Sequence, residues 1–331
     1  MKKLLVIISL IGMVCCMACK GWGSQGNGLL SSSGRSGEVL IVCSDNMWKS
    51  LLGDSLQAIL MQPVVNLPQQ EPLFTVTHVT QANFTKAYQK ERNIIHFNIH
   101  PQNENKVSAK YDVWATPQLL ITITAQSEQD AAEQLSLKQK EIIDLIMTCE
   151  WKRFQRSHKS RQNFQISNIL KEKYHFNMVV PEGYSFSIKN EEFAWLRKET
   201  KDWGQSILIF VENYTDTSQF STEHIIALRN AMTKKYVFGP TDSSYMTTEM
   251  IYLPPVSTFV TNEPYTIKTE GLWKLEGDFM GGPFVSYTLL DTRHNKIITI
   301  DGFLYAPSDT KRDLMRQVEA VIKTAAFVQD E

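Results

Sequence analysis

The sequence predicts an α+β protein made of two α/β-type sandwich halves with mixed and antiparallel sheets. Three observations carry this reading. From residue 38 to residue 157, short apolar runs alternate with segments of helical period. From residue 171 to residue 331, strands come in runs and helices stand apart from them. Between the two, residues 158–170 (HKSRQNFQISNIL) are polar and basic and read as a linker or a helix extension. A chain of 331 residues holds one or two domains.

Residues 1–18 read as an export signal. Lys2 and Lys3 precede an apolar run from Leu4 to Val14. That run is about 11 residues, against about 20 for a bilayer-spanning helix, so it is recognised and cut. Ala18 supplies the small residue before the cut, and Cys19 follows it. The segment resembles a lipobox, whose cysteine receives a diacylglycerol and becomes the first mature residue. It departs from that pattern at Cys16, where an aliphatic residue is usual. Several long acyl chains on Cys19 would hold the chain on a membrane, at about 0.8 kcal/mol per buried methylene. Residues 19–37 are rich in Gly and Ser and read as a flexible tether. Lys20-Gly21-Trp22 brings no acidic run, which favours the periplasmic face over the cell surface.

Glu38–Cys43 (EVLIVC) suits a central strand. Ser44 or Asp45 then caps a helix on which Trp48, Leu51, Leu52, Leu56, Ile59 and Leu60 share a face, ended by Pro63. Strands are expected at 73–79, 93–99 and 119–124, with a short helix at 84–90. Residues 128–156 form a long helix with Leu135, Ile142, Ile146 and Cys149 on one side. In the second half, a strand at 174–180 ends at Pro181-Glu182-Gly183, and residues 193–199 are its expected hairpin partner. A strand at 206–214 and a helix at 222–235 follow. The chain is expected to be irregular around Gly239-Pro240 and Pro254-Pro255. Three antiparallel strands at 271–276, 284–291 and 296–304 lead to an amphipathic helix at 311–327.

Charge and motifs exclude several functions. Without residues 1–18, which hold two lysines and no acids, 32 basic residues face 35 acidic ones. That balance is not a nucleic-acid binder's. Cys43 and Cys149, in apolar segments, read as small core residues, with a bridge between them left open. His96 and His100 lie on a strand about 13 Å apart, too far to share a metal; His78 is the one further donor in reach. Gly-x-Ser-x-Gly, His-Glu-x-x-His and the phosphate loop are absent. No catalytic residue, metal ligand or cofactor is therefore expected. Two segments remain as candidate ligand contacts. One holds Trp273, Asp278, Gly281 and Gly282, where paired glycines allow close approach of a ligand or simply a tight turn. The other holds Asp242, Ser243 and Ser244, which suit an anion or a turn cap.

Two resemblances follow from particular residues. The second half, with Pro181-Glu182-Gly183, a meander ending Gly302 to Pro307 and a final helix, is similar in topology to the PsbP-like α/β/α sandwich. Over nearly the whole mature chain the sequence resembles an uncharacterised Bacteroidota lipoprotein family, domain of unknown function 4837. Gly34 to Trp48, Glu71 to Phe74, Arg92 to Ile95, Asp112 to Ala115, Gly239 to Met246, Gly271 to Phe284 and Gly302 to Pro307 carry it. The resemblance implies an envelope compartment and supplies no catalytic residue. The expectation is a lipid-anchored protein on the outer membrane, facing the periplasm, that binds or scaffolds. Its partners would be the membrane and an envelope protein, not nucleic acid. The alternative is an enzyme whose site assembles around Asp242 and Asp278.

Overall fold

The computed structural model describes residues 28–241 and 243–328. The signal segment, Cys19 and Asp242 lie outside them. No helix of the described residues is long and apolar enough to cross a membrane.

The first half is a five-stranded mixed sheet. Its strands are β1 (Glu38–Val42), β2 (Thr75–Val79), β3 (Asn93–Ile99), β4 (Lys106–Tyr111) and β5 (Leu119–Ala125), in the order β2-β1-β3-β5-β4. All neighbours run parallel except β4, which pairs antiparallel with β5 at the edge. The central strands are apolar on both faces because both are covered. On one face Ile41, Ile95 and Ile121 pack against α2 (Leu51–Leu60) and α3 (Glu128–Ser160). On the other, Leu40, Val42, Ile94 and Leu120 meet Phe84, Val113 and Trp114.

The helix expected after β1 is broken. Ser44 caps a single turn, α1 (Asp45–Trp48), and α2 starts anew at Leu51. Gly53 permits that corner, since a Cβ there would lie 2.1 Å from the Trp48 carbonyl oxygen. The helix expected at 84–90 is two isolated 3₁₀ turns, Gln81–Asn83 and Tyr88–Lys90. β4 has no counterpart among the expected strands, because an exposed edge strand of sequence KVSAKY carries little apolar signal.

Residues 30–37 are held along the amino ends of the strands. Leu30–Ser31 pairs parallel with Ala115–Thr116, the Ser33 amide donates to the Lys90 carbonyl, and the Gly37 amide donates to Glu150. Residues 158–170 are helical for most of their length: α3 runs to Ser160, and Asn163 caps α4 (Phe164–Tyr174). The spacing Ile166, Leu170, Tyr174 is the signal of that helix, and all three are buried.

The second half is an eight-stranded antiparallel sheet between helices. Its strands are β6 (Ser185–Lys189), β7 (Phe193–Glu199), β8 (Gly204–Asn213), β9 (Tyr245–Thr248), β10 (Val256–Asn262), β11 (Tyr265–Glu276), β12 (Gly281–Asp291) and β13 (Lys296–Tyr305). The path is β9-β11-β12-β13-β8-β7-β6, and β10 pairs with the first half of β11 beside β9. α5 (Thr222–Tyr236) covers one face, and α4 with α6 (Arg312–Ile322) covers the other. The hairpin partner of β7 is β6, not residues 174–180, of which Phe176–Asn177 pairs with Ala326–Phe327.

Polar contacts join the halves. Glu71 accepts from the Lys311 and Arg312 amides at 2.6 and 3.0 Å, Arg312 donates to the Pro72 carbonyl, and Arg316 donates to that of Leu73. α6 has no side-chain cap of its own, and Glu71 fills that place from the other half.

Candidate functional site

In an open sheet with parallel strands, ligands settle outside the carboxyl ends where the strand order reverses. Here the chain leaves β1 for β2 on one side and returns past β1 to β3 on the other. A shallow cleft of about 430 Å³ lies at those ends, lined by Asp45, His78, Val79, Thr80, Asn83, Thr85 and Tyr88. Each side chain is placed by local structure. Ser44 caps α1 by accepting from the Met47 amide at 3.1 Å, which sets Asp45 on the first turn. Thr80 caps the first 3₁₀ turn through the Asn83 amide.

His78 is the most constrained group of the cleft. Its ring stacks on Trp48 at 4.8 Å and an angle of 2°. Its Nε2 lies 3.0 Å from the Cys43 carbonyl oxygen, which only accepts, so Nε2 carries a proton. In its neutral form such a ring presents Nδ1 as an acceptor, and Asp45 Oδ1 lies 4.0 Å from it. An imidazole fixed in tautomer and plane is suited to receive a donor from a polar ligand.

His78 and His96 do not converge. His78 pairs in register with Ile41 and His96 with Val42, so they project from opposite faces of the sheet. His96 bonds the Gln81 side chain at 2.6 Å and packs near Phe84, and burial lowers its pKa. Among the described residues no group of three His, Cys, Asp or Glu could hold a metal ion. Cys43 and Cys149 are both free. Burial, first of all, raises their thiols to about 12 and about 11, which keeps both protonated. Glu128 lies close enough to Cys43 to act on it, while Cys149 sits 21 residues further along the same helix, roughly 30 Å away.

The two segments singled out in the sequence do meet, as turns at one end of the second sheet. Tyr245 pairs with Glu276, which brings Ser243 and Ser244 against the 277–280 turn. Ser244 Oγ donates to the Thr241 carbonyl at 3.0 Å, and Ser243 is exposed. Asp278 accepts from the Phe279 amide at 2.6 Å. Trp273 is 3 % exposed, and its Nε1 donates to the Leu304 carbonyl at 3.1 Å. It belongs to the core and lines no groove. Gly281 and Gly282 lie in β12 opposite Lys274 and Trp273, so they open the strand and do not form the turn itself. A Cβ on Gly282 would lie 2.2 Å from the Leu304 oxygen, so this glycine admits the indole and the neighbouring strand.

Sequence reasoning missed a buried pair in the second half. Arg229 on α5 donates to Asp301 on β13 at 2.9 Å, and neither is exposed. Ser286 also donates to Asp301, Thr248 accepts from Arg229, and the guanidinium lies 4.0 Å over the Phe284 ring. A charge on the apolar stripe of Ile225, Ile226 and Thr233 was the available signal.

Together these features define a two-part α+β protein with a parallel-sheet cleft in its first half. Residues 163–324 match the family described as domain of unknown function (DUF4837), and residues 32–159 match domain of unknown function (DUF8532). Each half of the chain is similar to a domain of unknown function, DUF8532 in the first half and DUF4837 in the second. The likeness expected across nearly the whole mature chain is thus divided between two domains, and neither match carries the lineage or the PsbP-like likeness. No curated protein matches the sequence. Among solved structures, a point mutant of protein Mog1 is similar over 46 % of this chain and 91 % of its own, at 11 % identity and a TM-score of 0.30. The Saccharomyces cerevisiae Ran-binding protein Mog1p gives 46 %, 90 %, 11 % and 0.29. The human StarD13 (DLC2) lipid transfer and protein localization domain gives 48 %, 97 %, 12 % and 0.22.

Proposed function

We propose that the chain is a lipid-anchored binding protein of the cell envelope, on the outer membrane and facing the periplasm, that holds a small polar ligand in the cleft beside His78. The observation that carries this is the orientation of His78, whose tautomer and plane are set by Cys43 and Trp48 at the carboxyl edge of parallel strands. The anchor rests on Lys2-Lys3, the short apolar run and Ala18-Cys19. The tether joins the body at the amino edge of the first sheet, so the cleft opens at the other edge. Binding is favoured over the enzyme alternative because Asp278 and Ser244 bond to their own turns and Trp273 is in the core.

The test is a thermal-shift screen of small polar metabolites and glycan fragments against the purified chain and its His78→Ala variant. A ligand of the cleft raises the unfolding temperature of the first and not of the second. Equal shifts in both, or none in either, refute the cleft. The anchor is tested separately by the intact mass of the mature chain, which should carry acyl mass that a Cys19→Ala variant lacks.

A further inference from the structure

An ordered excursion of the edge of the second sheet exposes apolar side chains. β9 and β10 pair with the same strand, β11, and the seven residues 249–255 between them stand opposite only Gly271 and Leu272. The excess chain is pushed outward. Ile251 is 79 % exposed and Tyr252 85 %, with Met250 and Leu253 exposed beside them. This knuckle is built. The Glu249 amide donates to the Leu272 carbonyl at 2.8 Å, and its carboxylate accepts from the Ile251 and Tyr252 amides at 2.7 and 3.3 Å. Lys274 holds the same carboxylate at 3.1 Å, and Pro254-Pro255 closes the excursion. Two more apolar tips stand on the same edge of the sheet, at the other end of β9. Phe279 tops the β11–β12 turn fully exposed, and Phe238, 65 % exposed, bridges to Tyr245. The length of β9, roughly 10 Å, separates them from the knuckle.

We infer that this edge of the second sheet is a lipid-facing surface, whose Ile251–Tyr252 knuckle and Phe279 dip into the bilayer interface. The inference rests on the anchor reading above and extends it to a second contact. Eight residues lie between Cys19 and the first described residue, Gly28, so the body stands within roughly 30 Å of an acylated anchor. Separate protruding tips fit a deformable apolar medium, and Tyr at such a tip keeps its hydroxyl among headgroups. Strand pairing with a second copy is disfavoured. β10 carries a register shift between Phe259 and Thr261 and is preceded by two prolines, both of which break edge pairing.

The experiment uses the acylated chain in vesicles of phosphatidylethanolamine and phosphatidylglycerol, with a nitroxide on Met250→Cys. Cys43 and Cys149 are buried, and Cys19 is consumed by its thioether. Leu137→Cys on α3, 69 % exposed, is the aqueous reference. Expected is a label at 250 that oxygen relaxes in preference to a water-soluble nickel chelate, the reverse of position 137. In an Ile251→Ser/Tyr252→Ser background the oxygen-to-nickel ratio at 250 should fall to that at 137, since the two side chains that hold the knuckle in the apolar phase are gone. A label at 250 as open to nickel as that at 137, in protein that floats with the vesicles, overturns the inference. Shielding from both relaxants also overturns it, in favour of a protein partner. A chain that carries no acyl mass and does not float instead refutes the anchor.

Discussion

Removing the Asp301 carboxylate should destabilise the second domain more than any surface change. Asp301 is fully buried and takes hydrogen bonds from Arg229 and Ser286. In Asp301→Ala the guanidinium of Arg229, itself fully buried, keeps its charge and retains only Thr248, the Met246 sulfur and the Phe284 ring. Breaking a buried pair from one side costs about 3–5 kcal/mol, because the remaining charge is uncompensated. At a urea slope of about 2–3 kcal/mol/M, the midpoint falls by roughly 1–2 M. The double variant Arg229→Met/Asp301→Asn removes both charges and keeps an acceptor for Ser286. It should be more stable than Asp301→Ala by at least about 1 kcal/mol, since replacing both members of a buried pair with neutral groups is often close to neutral. Urea unfolding followed by tryptophan fluorescence reads this directly, because Trp195 and Trp273 lie in the cluster beside the pair. An Asp301→Ala loss below about 1 kcal/mol, or a double variant weaker than Asp301→Ala, would refute the reasoning.

Acidification and interdomain capping give two further predictions. Burial first, then Lys198 and Arg161, lowers His158 from 6.5 to about 4. Between those values the unfolded chain binds a proton that the folded chain refuses, so stability is full above pH 6.5 and falls as pH drops toward 4. A His158→Gln variant should lose less stability than the parent between pH 7 and pH 4.5 in the same urea assay; parallel losses would exclude His158 as the source. Glu71→Ala removes the cap that the first half supplies to α6, with an expected loss of about 1 kcal/mol. Hydrogen exchange at residues 311–316 should accelerate, and unchanged exchange there would show that α6 caps itself.

The elements legible in the sequence are those whose burial is one-sided and regular. β1, β5, α3 and α5 fall within a few residues of expectation, because a covered strand of Val and Ile and a helix with a single apolar stripe leave periodic patterns. β4 and β10 are illegible because an edge strand buries little, and β10 is exposed along most of its length. α4 is masked by its charged outer face, although Asn163 and the four-residue spacing of Ile166, Leu170 and Tyr174 mark it. The candidate sites differ for a physical reason. Gly281, Gly282 and Trp273 are unusual in sequence because they pack closely, and close packing leaves the same trace as ligand contact. The cleft at His78 leaves no local trace, because its members come from β2, α1 and the crossover and share only a place in the sheet order.

The buried polar cluster at the amino edge of the first sheet bears on how an anchored chain would transmit load. Glu150 of α3 is fully buried and accepts from the Ser36 hydroxyl, the Gly37 amide, Asn93 and Arg153, and it pairs with Arg92. Arg153 in turn donates to the Arg92 and Pro117 carbonyls. Ser36–Gly37, the starts of β3 and β5 and the second half of α3 are therefore tied at one point. α3 also packs on α6, whose first turn is held by Glu71. On the anchor reading, tension from Cys19 enters at Ser36–Gly37, passes to α3 and reaches the second domain through α6. It never crosses the carboxyl edge where His78 sits. Glu150→Gln should therefore loosen residues 30–37 in hydrogen exchange while His78 keeps its contacts to Cys43 and Trp48.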